Sequence, residues 1–244
     1  VKVGAGAFLP EEADALDLAQ TMVDIGTARG LPTVALLTAM DRPLGSAIGN
    51  ALETAEAISC LKGEGPADLR AIVRLQAVAM LQLAEPELSE QAAVSRVDSA
   101  LDSGAALERL VRLVEAQGGD ASVVDSPARL VTSEHTLDVV AERGGTVVQV
   151  APRVLGEGVI ALGGGRTHMD QKPDLSVGFQ MRVRPGDEVS VGDRLATVHA
   201  RDAEGLRTGE GVVRRAVVLG DSGEAAEMRP LLSHRVDESG VLVF

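Results

Sequence analysis

The sequence predicts an α/β protein: the remainder of an α/β domain, with a buried and mainly parallel sheet covered by helices, followed by an α+β domain with a β-sandwich-like hairpin region. Three observations predict it. Thr33 to Met40 (TVALLTAM) is a nearly continuous apolar run rich in strand formers, the pattern of a strand covered on both faces. Before and after it, as far as Ala116, apolar residues recur at helical spacing. Beyond Ala121 that period gives way to short strand-like runs separated by turn dipeptides.

Val1 to Phe8 (VKVGAGAF) reads as a strand end running into a Gly-rich loop. Pro10, Glu11 and Glu12 then signal a helix start, since proline fits the first turn and carboxylates suit the positive end of the dipole. Leu16, Ala19, Val23 and Gly26 give its apolar stripe, and Gly30 its stop. After the strand at Thr33–Met40 the chain breaks at Asp41-Arg42-Pro43. It enters a helix near Asn50, where Asn50 and Glu53 have capping-box spacing. Gly63 ends that helix and Gly65-Pro66 opens another, with Leu69, Ile72, Val73, Met80 and Leu83 expected inward. Ser89–Leu101 and Ala105–Ala116 read as two more. The expected division is residues 1–120, a linker over 121–134, and a second unit over 135–244. In the second unit Thr146–Val150, Leu175–Phe179 and Glu188–Ala200 read as strands, with turns at Pro185-Gly186-Asp187 and Gly192-Asp193. A helix is expected near Gly209–Leu219. PGDEVSVGDRLATVHA resembles the hairpin of biotinyl or lipoyl carriers in shape only, because the lysine hairpin of those carriers is missing.

Composition narrows the function classes. Hydrophobic residues make up 45% of the 244, yet there are three Phe and no Trp or Tyr, so the core is aliphatic. Few stacking aromatics and a net charge of −13 argue against a nucleic-acid partner. Cys60 is the only cysteine, which excludes an intrachain disulfide and fits a reducing, cytoplasmic setting. No apolar run approaches a membrane span, so no membrane partner is expected.

Several residues invite chemistry, and each also has a structural reading. Glu53 and Glu56, three apart, share a helix face that is ordinarily solvated. Backbone carbonyls at Leu44 and Ala47 with one carboxylate would form a hard oxygen set suited to an alkali or alkaline-earth cation, but nothing in the residues alone singles that set out. Gly4 and Gly6 could bring amides to a phosphate, but the spacing of a dinucleotide or P-loop motif is missing and a tight turn is the simpler reading. Lys2 could face a ligand or solvent. Gly163-Gly164-Gly165-Arg166-Thr167 reads as a turn. His135, His168, His199 and His234 are scattered without metal-ligand spacing, and Cys60 reads as a buried inert thiol.

VKVGAGAF, TAMDRPLGSAIGNALE, LKGEGPADL, AQGGDASVV, LGGGR and DLSVGF occur in an order that resembles the C-terminal two-thirds of the thymidine and pyrimidine-nucleoside phosphorylases. The resemblance runs over nearly the whole chain and is loosest after Ala203. It implies a homodimeric enzyme that cleaves a pyrimidine (deoxy)nucleoside with inorganic phosphate as co-substrate, releasing the free base and a (deoxy)ribose 1-phosphate. It also implies a potassium ion held by the Leu44 and Ala47 carbonyls and Glu56, with its other ligands upstream, and a base-pocket position at Ala7. The family's phosphate-gripping and base-gripping residues match nothing in these 244 residues. The chain, which opens on Val1 inside a strand-like run, is therefore expected to be part of a longer protein and inactive alone. A non-catalytic scaffold or binding module and a phosphoribosyltransferase-like relative are the alternatives. The C-terminal unit argues against the last.

Overall fold

A β-α-β unit opens the chain. β1 (Lys2–Val3) pairs in parallel with β2 (Ala35–Ala39), Lys2 opposite Thr38, and α1 (Glu12–Ala28) makes the crossover. Glu12 and Asp14 lie in the first turn of α1, where the helix dipole favours carboxylates. Ala15, Ala19 and Val23 of α1 bury against Val3, Ala35 and Leu37, forming a small core with Val236. The small alanines let helix and sheet approach closely. A computed structural model describes residues 1–244.

β3 (Ala47–Ile48) is short and leads directly into α2 (Asn50–Leu61). α3 (Ala67–Ala84), α4 (Glu90–Asp102) and α5 (Ala105–Ala116) follow, then the single turn α6 (Ser122–Asp125) and a 3₁₀ turn over Pro127–Arg129. α3 and α4 share a core of Val78, Ala93, Val97 and Leu101, and are joined by ion pairs Arg70–Asp102 (2.6 Å) and Arg74–Asp98 (2.9 Å). The inward set expected for α3 holds at Ile72, whereas Met80 is 70% exposed and Leu83 also faces out. α3 is apolar on more than one side, and α4 covers the stripe carrying Ala77, Val78 and Leu81. Periodicity alone could not choose between those sides.

The remaining strands are β4 (His135–Val140), β5 (Gly145–Val150), β6 (Gly178–Met181), β7 (Glu188–Val189), β8 (Arg194–Ala200), β9 (Val217–Leu219), β10 (Leu232–Asp237) and β11 (Gly240–Val243). Two helices accompany them, α7 (Pro152–Ala161) and α8 (Ala203–Ala216). One antiparallel sheet has the order β3-β6-β8-β4 and a second the order β7-β5-β9. Together with α7 and α8 they enclose the largest core, 19 buried residues including the fully buried Phe179, Leu155 and Val198. The strand expected from Leu175 starts three residues later, at Gly178. The helix expected over Gly209–Leu219 instead starts at Ala203, capped by the Asp202 carboxylate accepting Gly205 N–H at 2.8 Å, and hands over to β9 at Val217. Gly205, Gly209 and Gly211 dilute the helical signal of that segment.

The α/β class holds, but the first sheet is mixed and not mainly parallel. Its order is β1-β2-β10-β11, with β1–β2 the one parallel pair and both other pairings antiparallel. The reason is long-range. β10 arrives from nearly two hundred residues downstream, and its sequence LSHRVD is too polar to read as a buried strand. β3 likewise comes from the N-terminal half and pairs with β6. Strands are thus exchanged across the 121–134 stretch in both directions. The β3–β6 crossing is close because Gly49 (φ +138°) and Gly178 (φ +152°) face each other there. A Cβ on either would stand 3.0 Å from the Cα of the other.

Candidate functional site

The end of β2 delivers the chain into a turn, Asp41 to Ser46, that is held from three directions. Asp41 accepts the Arg229 N–H at 2.8 Å through one oxygen and pairs with Arg42 through the other, also at 2.8 Å. Arg42 also donates to the Arg229 carbonyl, and Arg229 reaches Glu12 on α1 at 2.7 Å. Asp68, in the first turn of α3, accepts Gly45 N–H at 3.2 Å. Met181 N–H on β6 donates to the Ser46 carbonyl at 2.8 Å.

Glu56, two turns into α2, points back at this turn. Its Oε1 accepts three hydrogen bonds: from Ser46 N–H (2.9 Å), Ser46 Oγ (2.6 Å) and Ala47 N–H (3.1 Å). Its Oε2 accepts none and is not sealed from solvent. Gly45 lies beside it at φ +71°, and a side chain there would occupy the space of Oε2. The Leu44 carbonyl accepts no backbone hydrogen bond. In the β3–β6 register Ser46 and not Ala47 bonds to β6, so the Ala47 carbonyl faces the open edge of β3. Leu44, Ala47 and Glu56 line one cavity of about 600 Å³, together with Lys2, Met40 and Pro152. The structure thus brings together the three positions that the resemblance singled out, and Lys2 lies at the same cavity.

Glu53 has a different task. It accepts Gly49 N–H at 3.3 Å, so the cap of α2 is at Gly49, one residue before the Asn50 expected from the capping-box spacing. Asn50 is left free to donate from Nδ2 to the Gly164 carbonyl at 3.0 Å, fastening the Gly163–Gly165 turn to the start of α2. That bond supports the structural reading of the glycine triplet. In the first loop, Gly6 N–H donates to the Met40 carbonyl at 2.8 Å, and Cβ atoms at Gly4 or Gly6 would strike the backbone of Met40 and Asp41. Both glycines serve close packing of the loop on the end of β2.

Ala7 is buried, its carbonyl accepting from Arg153 at 3.3 Å, and is not among the residues lining the cavity. Its neighbour Phe8 is fully exposed. The histidines do not converge, and no three His, Cys, Asp or Glu side chains form a metal-binding group. Cys60 is buried, and burial pushes its thiol pKa up, as for an inert thiol. Sequence reasoning missed Ser46, Asp68 and Gln180, whose Nε2 donates to Ser46 Oγ at 2.9 Å. Ser46 and Asp68 lie in motifs it had quoted, but only the tertiary contacts give them roles.

Two family models match in tandem. The "Glycosyl transferase family, a/b domain" covers residues 1–107, and the "Pyrimidine nucleoside phosphorylase C-terminal domain" covers residues 146–219. Thymidine phosphorylase of Burkholderia cenocepacia is 41% identical over 239 residues, which is 97% of this chain and 54% of the relative. Pyrimidine-nucleoside phosphorylases of Bacillus subtilis and Geobacillus stearothermophilus are each 40% identical over 200 residues, covering 82% of this chain and 46% of theirs. The chain spans about half the length of the curated relatives it matches. Motif order, tandem domain matches and identity over nearly all residues agree, and the chain belongs to the thymidine and pyrimidine-nucleoside phosphorylase family.

Proposed function

We propose that the longer protein to which these residues belong phosphorolyses pyrimidine (deoxy)nucleosides, thymidine foremost, and that this chain supplies the cation-side wall of its active cleft. In that reaction a phosphate oxygen bonds to the anomeric carbon as the C–N glycosidic bond breaks. The bonding pair leaves on the base nitrogen, which takes up a proton, giving free base and (deoxy)ribose 1-phosphate. The demands on a protein are to hold both reactants in line, to stabilise the departing anion and to keep water from competing with phosphate. The observation that carries the reading is the 40–41% identity, over 82–97% of the chain, to proteins named for this reaction.

The chemistry of the donor set fits a potassium ion. Leu44 and Ala47 offer carbonyls without hydrogen-bond donors from the backbone, Glu56 offers a bare Oε2, and Gly45 leaves the space that a side chain would fill. Hard oxygens of this kind select an alkali or alkaline-earth cation over zinc. When bound, such an ion would add fixed positive charge beside the phosphate. Lys2, at the same cavity, would add another. In this reading Ala7 takes the base-pocket position that the resemblance gives it. Homodimerisation of the longer protein and a cytoplasmic setting belong to the same proposal. No helix is long and apolar enough to cross a membrane.

The 244 residues alone are expected to be inactive, since none matches the family segments that grip phosphate and base. Incubation with thymidine or uridine and phosphate, followed by chromatography for free base, tests both halves. A longer version should release base only when phosphate is present. Phosphate-independent release, or none with either nucleoside, would sink the reaction assignment. Turnover by the 244-residue chain at the rate of the longer version would refute its expected inactivity.

A further inference from the structure

Glu56 is presented asymmetrically, and the asymmetry is set from outside α2. All three donors fall on Oε1, and two of them belong to Ser46. A serine hydroxyl has one proton, and here it is directed at Oε1 at 2.6 Å. The same hydroxyl accepts from Gln180 Nε2 at 2.9 Å. Gln180 lies on β6, directly opposite Ala47 in the strand register, and Met181 N–H holds the Ser46 carbonyl. A relay thus runs from the C-terminal sheet through Gln180 and Ser46 to Glu56. With the Gln180 amide occupying the acceptor side of the hydroxyl, the proton is left to point at Oε1. With Oε1 fully engaged, the carboxylate is held so that Oε2 is the oxygen offered to the cavity.

We infer that Ser46 and Gln180 are positioning residues that orient Glu56 for a monovalent cation bound with the Leu44 and Ala47 carbonyls, so that strand β6 tunes cation affinity in the N-terminal half. The inference rests on the cation reading proposed above and goes beyond it by naming the groups that set the affinity. Groups that orient a metal ligand without touching the metal typically change affinity by about 10- to 100-fold when removed.

The test uses thallous ion, a spectroscopic surrogate for potassium, titrated into the 244-residue chain and into the longer version that carries the upstream ligands, and followed by thallium NMR with potassium and sodium as competitors. A second readout is the rise in melting temperature in potassium chloride over choline chloride at matched ionic strength. The unaltered chain should bind, with potassium the better competitor. Ser46→Ala and Gln180→Ala should each weaken binding by about tenfold or more and shrink the melting shift. Ser46→Thr, which keeps the hydroxyl, should retain both, and Gln180→Leu serves if Gln180→Ala does not fold. Melting temperatures in choline separate general destabilisation from loss of the ion. Full affinity in Ser46→Ala and the Gln180 variants, with normal binding by the parent, would overturn the positioning role and leave the cation reading standing. Absence of potassium-specific binding by the parent, both as the 244-residue chain and in the longer version, would overturn the cation reading and this inference with it.

Discussion

The carboxylate of Asp41 accepts the backbone N–H of Arg229 at 2.8 Å, joining residues 188 positions apart. The bond fastens the approach to β10 against the end of β2, beside the turn that carries Leu44 and Gly45. Both partners are half-buried, and Arg42 adds a second charge-assisted contact. Asp41→Ala should therefore destabilise the chain by about 1–3 kcal/mol, the usual cost of leaving such donors unpaired. Urea denaturation at neutral pH measures it. A value near zero would mean that solvent replaces the carboxylate without loss.

Gly45→Ala carries two penalties. The residue adopts φ +71°, where an L side chain costs about 1–3 kcal/mol, and the new methyl would displace Glu56 Oε2. Stability should fall, and the cation-dependent rise in melting temperature should disappear with it. Gly30→Ala is the control. Its φ of +67° is similar, but its Cβ would meet nothing, so it should carry the backbone cost alone.

His199 predicts a pH dependence. Burial, then the Arg182 charge, holds its pKa below the ordinary 6.5, while Asp138 pulls the other way. Its Nδ1 is buried without a partner. The unfolded chain therefore takes up the proton first, so stability must fall as pH drops below about 6.5. Chemical denaturation at pH 7.5 and 5.5 should show that loss in the parent and a smaller one in His199→Gln. Equal losses in the two would refute the assignment.

Asp174 acts at lower pH. The Ser176 hydroxyl at 2.6 Å is the main cause holding its carboxyl below the ordinary 3.8, with the Ser176 N–H and Arg201 assisting. A depressed carboxyl contributes stability that is fully present above its unfolded value and is lost as pH falls through the folded one. Asp174→Asn should therefore be less stable than the parent at neutral pH, and the gap should begin to narrow as pH falls below the ordinary 3.8. A gap of constant size from neutral pH down through the acid range would show that the charge is irrelevant.

How far the sequence could be read depended on the distance over which each signal acts. Helix stops at Gly30 and Gly63, the bounds of α5 and the hairpin turns at Gly186 and Gly192 are local, and they were legible. β10 was not, because LSHRVD becomes a buried strand only by lying against β2. At the site, Leu44, Ala47 and Glu56 were named through resemblance, since two carbonyls and one glutamate leave no mark in composition or period. Ser46 and Gln180 stayed silent for the same reason: their hydrogen bonds span 10 and 134 positions.

The insertion of β10 between β2 and β11 also orders events in time. During synthesis β1, α1 and β2 leave the ribosome almost two hundred residues ahead of the strand that completes their sheet. Until it arrives, one edge of β2 is unpaired and Leu37 and Ala35 lack Val236 as a neighbour. The nascent chain must therefore carry an open strand edge while nearly two hundred further residues are made, a state exposed to mispairing and to chaperone capture. Shortening the chain before Leu232 should reproduce that state permanently, giving a product whose defect lies far from the cut, around β2 (Ala35–Ala39).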